Sequence, residues 1–137
     1  MKKKLLILCT GNSCRSQMAE AYMRVYHHKT YTIYSAGIEK HGLNPFAMGV
    51  LMEDGLDISN HSSNTVEELP VESFDVVITV CDHAYEVCPI FPGKHIKIHH
   101  NFTDPSKASG SASSLILAFR KTRDEIKEFC QNFQLLS

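Results

Sequence analysis

Five residues separate Cys9 from Arg15 in the stretch CTGNSCRS, and Ser16 follows directly. A thiol and a guanidinium at this spacing suit one kind of chemistry. If the residues between them turn from a strand into a helix, their backbone N–H groups point inward and form an anion nest at the helix N-terminus. Arg15 adds a planar fork of donors that fits a tetrahedral oxyanion. A thiol in such a positive field ionises well below the free-thiol range and becomes a nucleophile. Gly11 allows a close backbone approach or a positive φ, and Asn12 tolerates a left-handed conformation and can brace the loop. Ser16 is placed to donate a hydrogen bond to the Cys9 sulfur. The candidate oxyanion cradle is therefore Cys9, Thr10, Gly11, Asn12, Ser13, Cys14 and Arg15. The plainer alternative is a buried cysteine in an ordinary turn.

Two further thiols, Cys81 and Cys88, have six residues between them, and Pro89 follows. They read as redox thiols or as two buried side chains near a strand end. Cys81, His83, Cys88 and His95 could also supply four metal ligands, although their spacing fits no standard zinc pattern. The five cysteines form an odd set with no secretory leader before them, which argues against a disulfide framework. Cys14 reads as structural and Cys130 as a bystander on a helix. Of the eight histidines, His27, His28, His41 and His61 read as exposed or loop residues, and His99 and His100 as surface or packing residues near Asp104.

The elements that must position these groups follow from periodicity. Lys4 to Leu8 is a short, fully buried strand. Ser16 to about His27 is a helix with Met18, Ala21, Tyr22 and Val25 on its inward stripe. Thr30 to Ala36 is a second strand, closed by Gly37. Asn44-Pro45 starts a helix that carries Phe46, Ala47, Val50 and Leu51 and stops near Gly55. Thr65 to Leu69 makes one or two helical turns. Phe74 to Val80 is continuously apolar, as in a strand covered on both faces. His95 to His99 is a shorter, alternating strand. Ser111 to Phe133 is a long amphipathic helix with Leu115, Ala118, Phe119, Thr122, Ile126 and Phe129 inward. Strands alternating with helices predict an α/β fold, a four-stranded mostly parallel sheet with helices on both faces. Sites in such sheets form at the carboxyl ends of the strands. Cys9 ends the first strand and Cys81 the third, so both fall on one rim.

The 137 residues suggest a single domain over 1–137 with an ordinary core, at 43% hydrophobic and 21% charged residues. A formal net charge of -1 gives no electrostatic support to a nucleic-acid or anionic-membrane partner. Leu5 to Leu8 is too short for a leader or a membrane span, so a cytoplasmic location is expected.

CTGNSCRS resembles the loop of the low-molecular-weight protein tyrosine phosphatase fold, which carries its acid downstream as an Asp-Pro pair. Here that pair is Asp104-Pro105. Phosphatases of this fold carry tyrosines directly after it, whereas this chain reads DPSK. VCDHAYEVCP, SQMAEA, YSAGIEKHGLNP, GLDISN and RDEI are similar to the thioredoxin-coupled arsenate reductase branch, across nearly the whole chain. That resemblance implies a monomer that binds arsenate, phosphate or sulfate and reduces arsenate to arsenite. Cys9 would attack arsenic with Arg15 and Ser16 in support, and Asp104 would protonate the departing oxygen. A Cys9–Cys81 disulfide and then a Cys81–Cys88 disulfide would follow, regenerated by thioredoxin without a metal or organic cofactor. The runner-up is an aryl or tyrosine phosphatase using Cys9, Arg15 and Asp104. In some relatives a potassium ion sits beside the loop. Asn12, Glu20 and Ser35 match three of its four ligands, but Asn64 replaces the aspartate, which weakens such a site.

Overall fold

The computed structural model describes residues 2–134. Four strands form one sheet: β1 (Lys3–Cys9), β2 (Tyr31–Gly37), β3 (Val76–Thr79) and β4 (Ile96–His99). They lie in the order β2-β1-β3-β4, and every pairing is parallel. Parallel strands put all carboxyl ends on one rim, with Cys9 beside Gly37 and Leu8 beside Thr79. The chain steps from β1 to β2 in one direction and reaches β3 on the other side of β1. The strand order therefore reverses between β1 and β3, the crevice where ligands bind in open α/β sheets.

Four helices surround the sheet: α1 (Arg15–His27), α2 (Pro45–Met52), α3 (Asp82–Glu86) and α4 (Ala112–Asn132). α1 packs on α4 and on β2, α2 packs on α4, and α3 sits at β1 and β3. Short 3-10 turns span Val66–Glu68 and Pro105–Lys107. Leu5 to Cys9 and all of β3 are buried, as expected for central strands. Asn44 caps α2 through Oδ1, which accepts from the N–H of Phe46 and Ala47. Pro45 opens that helix, and Gly55 follows it at φ 76°.

Several expectations change in detail. β3 is shorter than Phe74 to Val80, because Phe74 turns into an aromatic cluster with Tyr34 and Phe91. Val25 is 46% exposed; Tyr22 and Tyr26, which stack, and His27, which packs on Phe133, carry the last turn of α1 instead. β4 is an edge strand and only partly buried. Cys130 takes no place in the rim and packs in the core: it is fully buried, and its thiol donates to the Ala19 carbonyl. Among the described residues no helix is long and apolar enough to cross a membrane.

Candidate active site

The loop from Cys9 to Arg15 turns its carbonyls outward and has them all taken up. The Cys9, Thr10, Gly11 and Ser13 oxygens accept from the backbone of Ile38, Glu39, His41 and Asn44 at 2.9–3.1 Å. The Ser63 hydroxyl also donates to the Gly11 oxygen. Among the described residues the N–H groups of Gly11 to Cys14 donate to no protein acceptor, which leaves them available to an anion. The positive φ falls on Asn12, at 49°, and not on Gly11. Asn12 is fully buried, and its side chain is saturated. Oδ1 accepts from Asn64 N and Gln17 Nε2; Nδ2 donates to the hydroxyls of Ser16 and Ser35. Gly11 serves close approach, since a Cβ there would run into the His41 ring. Gly37 does the same from β2: its Cβ would strike Glu39 O, Thr10 O and Asn12 N, all backbone.

Arg15 reaches across the crevice. Nη1 donates to the Phe102 carbonyl at 2.8 Å, and Nη2 lies 3.5 Å from Asp104 Oδ2. Asp104 Oδ1 accepts from Ser106 N and Ser106 Oγ, so the carboxylate is oriented from both sides. A cleft of about 680 Å³ is lined by the loop, Cys81, Asp104 and Lys107, with His41 at its edge. Cys88 does not line it.

Cys81 caps α3 and sits inside the cradle's field. Its sulfur lies 3.3 Å from Thr10 Oγ1, and it lines the same cleft as Cys9. The two thiols titrate as one unit. The neighbouring Cys9, then the Thr10 hydroxyl and the Ala84 backbone, with the Arg15 charge, outweigh burial and hold Cys81 well below the free-thiol range. The neighbouring Cys81, then burial, raises Cys9, while Arg15 pulls it back down. The easily lost proton therefore belongs to the pair, and the Arg15 charge favours the thiolate at either sulfur. Burial pushes Cys14 and Cys130 each up to about 12, so both stay thiols.

Ser16 departs from expectation. It is fully buried, and its hydroxyl accepts from Asn12 Nδ2; among the described residues it makes no hydrogen bond to Cys9. It braces the loop. Cys88 is half-buried two residues beyond α3, with its thiol on the Pro89 carbonyl. The four-ligand set of Cys81, His83, Cys88 and His95 does not form, and no metal-ligating cluster occurs among the described residues. Asn12, Glu20 and Ser35 do meet, but Ser35 hydrogen-bonds directly to Glu20 and Asn12. Arg24 pairs with Glu20 at 2.9 Å, and His61 lies 3.7 Å from it. Asn12 turns its donor, not its oxygen, toward Ser35. These residues do not fit a potassium ion; they brace the loop without one.

The sequence reading missed Phe102, because a backbone carbonyl leaves no mark in residue type. It also placed His61 among exposed loop residues, whereas its Nδ1 meets Gln17 Oε1 under the loop. His27 is likewise half-buried, bonded to the Cys130 carbonyl.

An all-parallel sheet with a thiol, a guanidinium and a carboxylate at its switch point is the arrangement of a cysteine-based oxyanion enzyme. Residues 4–135 match the family described as "Low molecular weight phosphotyrosine protein phosphatase", and the chain belongs to that family. It is 44% identical to the arsenate reductase of Halalkalibacterium halodurans over 132 residues, covering 96% of this chain and 95% of that one. It is 43% identical to the arsenate reductase of Bacillus subtilis, covering 96% and 98%. A solved arsenate reductase in the phosphate binding state superposes with a TM-score of 0.80 at 31% identity, covering 96% and 95%.

Proposed function

We propose that this chain, acting as one cytoplasmic, monomeric domain, reduces arsenate to arsenite with its own thiols. The observation that carries the reading is a second thiol in the oxyanion cradle's own cleft: Cys81 lines it with Cys9, its sulfur 3.3 Å from Thr10 Oγ1. A hydrolase that only needed water would have no use for a second ionisable thiol there.

The cradle's N–H groups and Arg15 hold the tetrahedral anion; phosphate and sulfate compete for the same place. The Cys9 thiolate attacks arsenic, and Asp104 delivers a proton to the departing oxygen, which leaves as water. Cys81 then attacks the Cys9 sulfur. The sulfur–arsenic electron pair stays on arsenic, arsenite leaves, and a Cys9–Cys81 disulfide remains. Cys88 attacks Cys81 in turn and frees Cys9 as its thiolate. The dithiol of thioredoxin reduces the Cys81–Cys88 bond. Two thiols are oxidised for each arsenate reduced, so no metal or organic cofactor takes part.

The test is arsenate-dependent NADPH oxidation with thioredoxin and thioredoxin reductase. Sustained turnover is expected. Hydrolysis of aryl phosphates without arsenate turnover would favour the phosphatase reading instead. Ser106 and Lys107 in place of aromatic residues argue against that reading, because neither side chain offers a ring to flank a phenyl group.

A further inference from the structure

His99, the last residue of β4, makes three contacts with the segment that carries Cys81. Its Nε2 lies 2.8 Å from Asp82 Oδ1, and its Nδ1 lies 2.8 Å from Thr79 Oγ1. The Tyr85 ring stacks on the imidazole at 4.4 Å, with 28° between the planes. Asp82 directly follows Cys81, Thr79 precedes it by two residues, and Tyr85 lies one turn into α3. Nε2 faces a carboxylate and so carries a hydrogen, while the Thr79 hydroxyl serves Nδ1 or the Ile98 carbonyl.

Little else secures α3. A helix of five residues does not hold by itself. Ala84 is its one buried residue, and Tyr85 and Val87 are about half exposed. Asn101 Oδ1 accepts from Asp82 N at 3.2 Å, and Lys97 Nζ lies 5.2 Å from the Tyr85 ring centre.

We propose that His99 is a positioning residue for the thiol pair: by clasping Asp82 and Tyr85 it holds α3 helical and sets the balance between the Cys81 and Cys88 dithiol and their disulfide. The inference rests on the relay reading above. In the exchange step Cys88 thiolate attacks Cys81 Sγ, the Cys81–Cys88 bond forms, the Cys9–Cys81 bond breaks, and Cys9 leaves as thiolate. Cys81 and Val87 cap the two ends of α3, about 9 Å apart by helix rise, and a disulfide needs Cα atoms roughly 4.4–6.8 Å apart, so bonding Cys88 to Cys81 opens α3 and separates Asp82 and Tyr85 from His99. The clasp therefore weighs on the dithiol form alone, and its removal favours the disulfide.

The test uses the full chain carrying Cys9→Ser, so that Cys81 exchanges only with Cys88. It is equilibrated with glutathione: two protein thiols and glutathione disulfide give the protein disulfide and two glutathione thiols. Quenching, alkylation and mass mapping read the ratio. His99→Ala is expected to shift the equilibrium about tenfold toward the disulfide, a potential about 30 mV more negative for this two-electron couple. Tyr85→Leu is expected to shift it about threefold the same way, and His99→Gln, which keeps a donor for Asp82, to fall between parent and alanine variant. A merely structural histidine would lower the melting temperature without moving this ratio. If His99→Ala does not fold, Tyr85→Leu decides. An unchanged ratio in the folded variant, with the parent still forming the disulfide, overturns the proposal and leaves the relay standing. A parent that forms no Cys81–Cys88 disulfide overturns both.

Discussion

Thr10 Oγ1 lies 3.3 Å from Cys81 Sγ, so a residue of the anion cradle also holds the second thiol. That one contact joins the end of β1 to the end of β3 across the switch point of the sheet. It makes anion binding and the second thiol parts of a single site.

The contact predicts a pH effect. Cys81 is held below the free-thiol range, so its thiolate persists at neutral pH and regains a proton as pH falls into the acid range. Thr10→Val removes one donor to the thiolate, worth about 1 kcal/mol, which disfavours the charged form. The midpoint of Cys81 alkylation by iodoacetamide should then rise by roughly half to one pH unit. An unmoved midpoint would mean that Thr10 does not stabilise the thiolate.

Cys9→Ser should remove arsenate reduction and any aryl phosphate hydrolysis together, to below about 1% of the parent rates, because a hydroxyl in this field stays protonated. Phosphate binding measured by calorimetry should survive, since the N–H nest and Arg15 are untouched. Turnover of several per cent in the purified variant would remove Cys9 as the nucleophile.

Gly37→Ala tests how the loop is shaped from outside. The added Cβ would meet three backbone atoms, including Thr10 O and Asn12 N, none of which yields as a side-chain tip would. A loss of about 1–3 kcal/mol is expected, seen as a fall of roughly 3–10 °C in Tm, with weaker phosphate binding. A loss of stability with full anion affinity would separate Gly37 from the cradle.

Oxidation should open α3. The two caps of α3, Cys81 and Val87, are six residue steps apart, about 9 Å along a helix, whereas a disulfide needs roughly 4.4–6.8 Å between Cα atoms. The segment is weak, since its helix has only five residues and ends at Glu86. Pro89 and Pro92 bar its continuation. Amide hydrogen exchange over residues 82–92 should lose protection in the Cys81–Cys88 form. Equal protection in both forms would show that this segment is not the switch.

Much of this site was legible in the chain because two apolar runs, Leu5 to Leu8 and Val76 to Val80, end in cysteines. Parallel pairing then had to bring Cys9 and Cys81 to one rim. Arg15 and Asp104 followed from residue type and spacing. Illegible were contacts made by backbone or by packing. The carbonyl that holds Arg15 belongs to Phe102, which reads only as a core residue. Ser16 is as suited in sequence to the sulfur as to Asn12, and only the left-handed turn at Asn12 decides between them. Gly37 reads as a strand end, although its role is the approach of three backbone segments. The shared proton of Cys9 and Cys81 required the distance between two strands to be known.

The relay order is the core of this account, and Cys88→Ser tests it most directly. Reduced Cys88→Ser protein is mixed with excess arsenate, arsenite is counted, and the disulfides are mapped by mass. The account predicts one arsenite per chain and a Cys9–Cys81 disulfide that persists, while Cys81→Ser releases none and forms no such bond. Continued cycling of Cys88→Ser with thioredoxin, or arsenite release from Cys81→Ser at the parent rate, would contradict it.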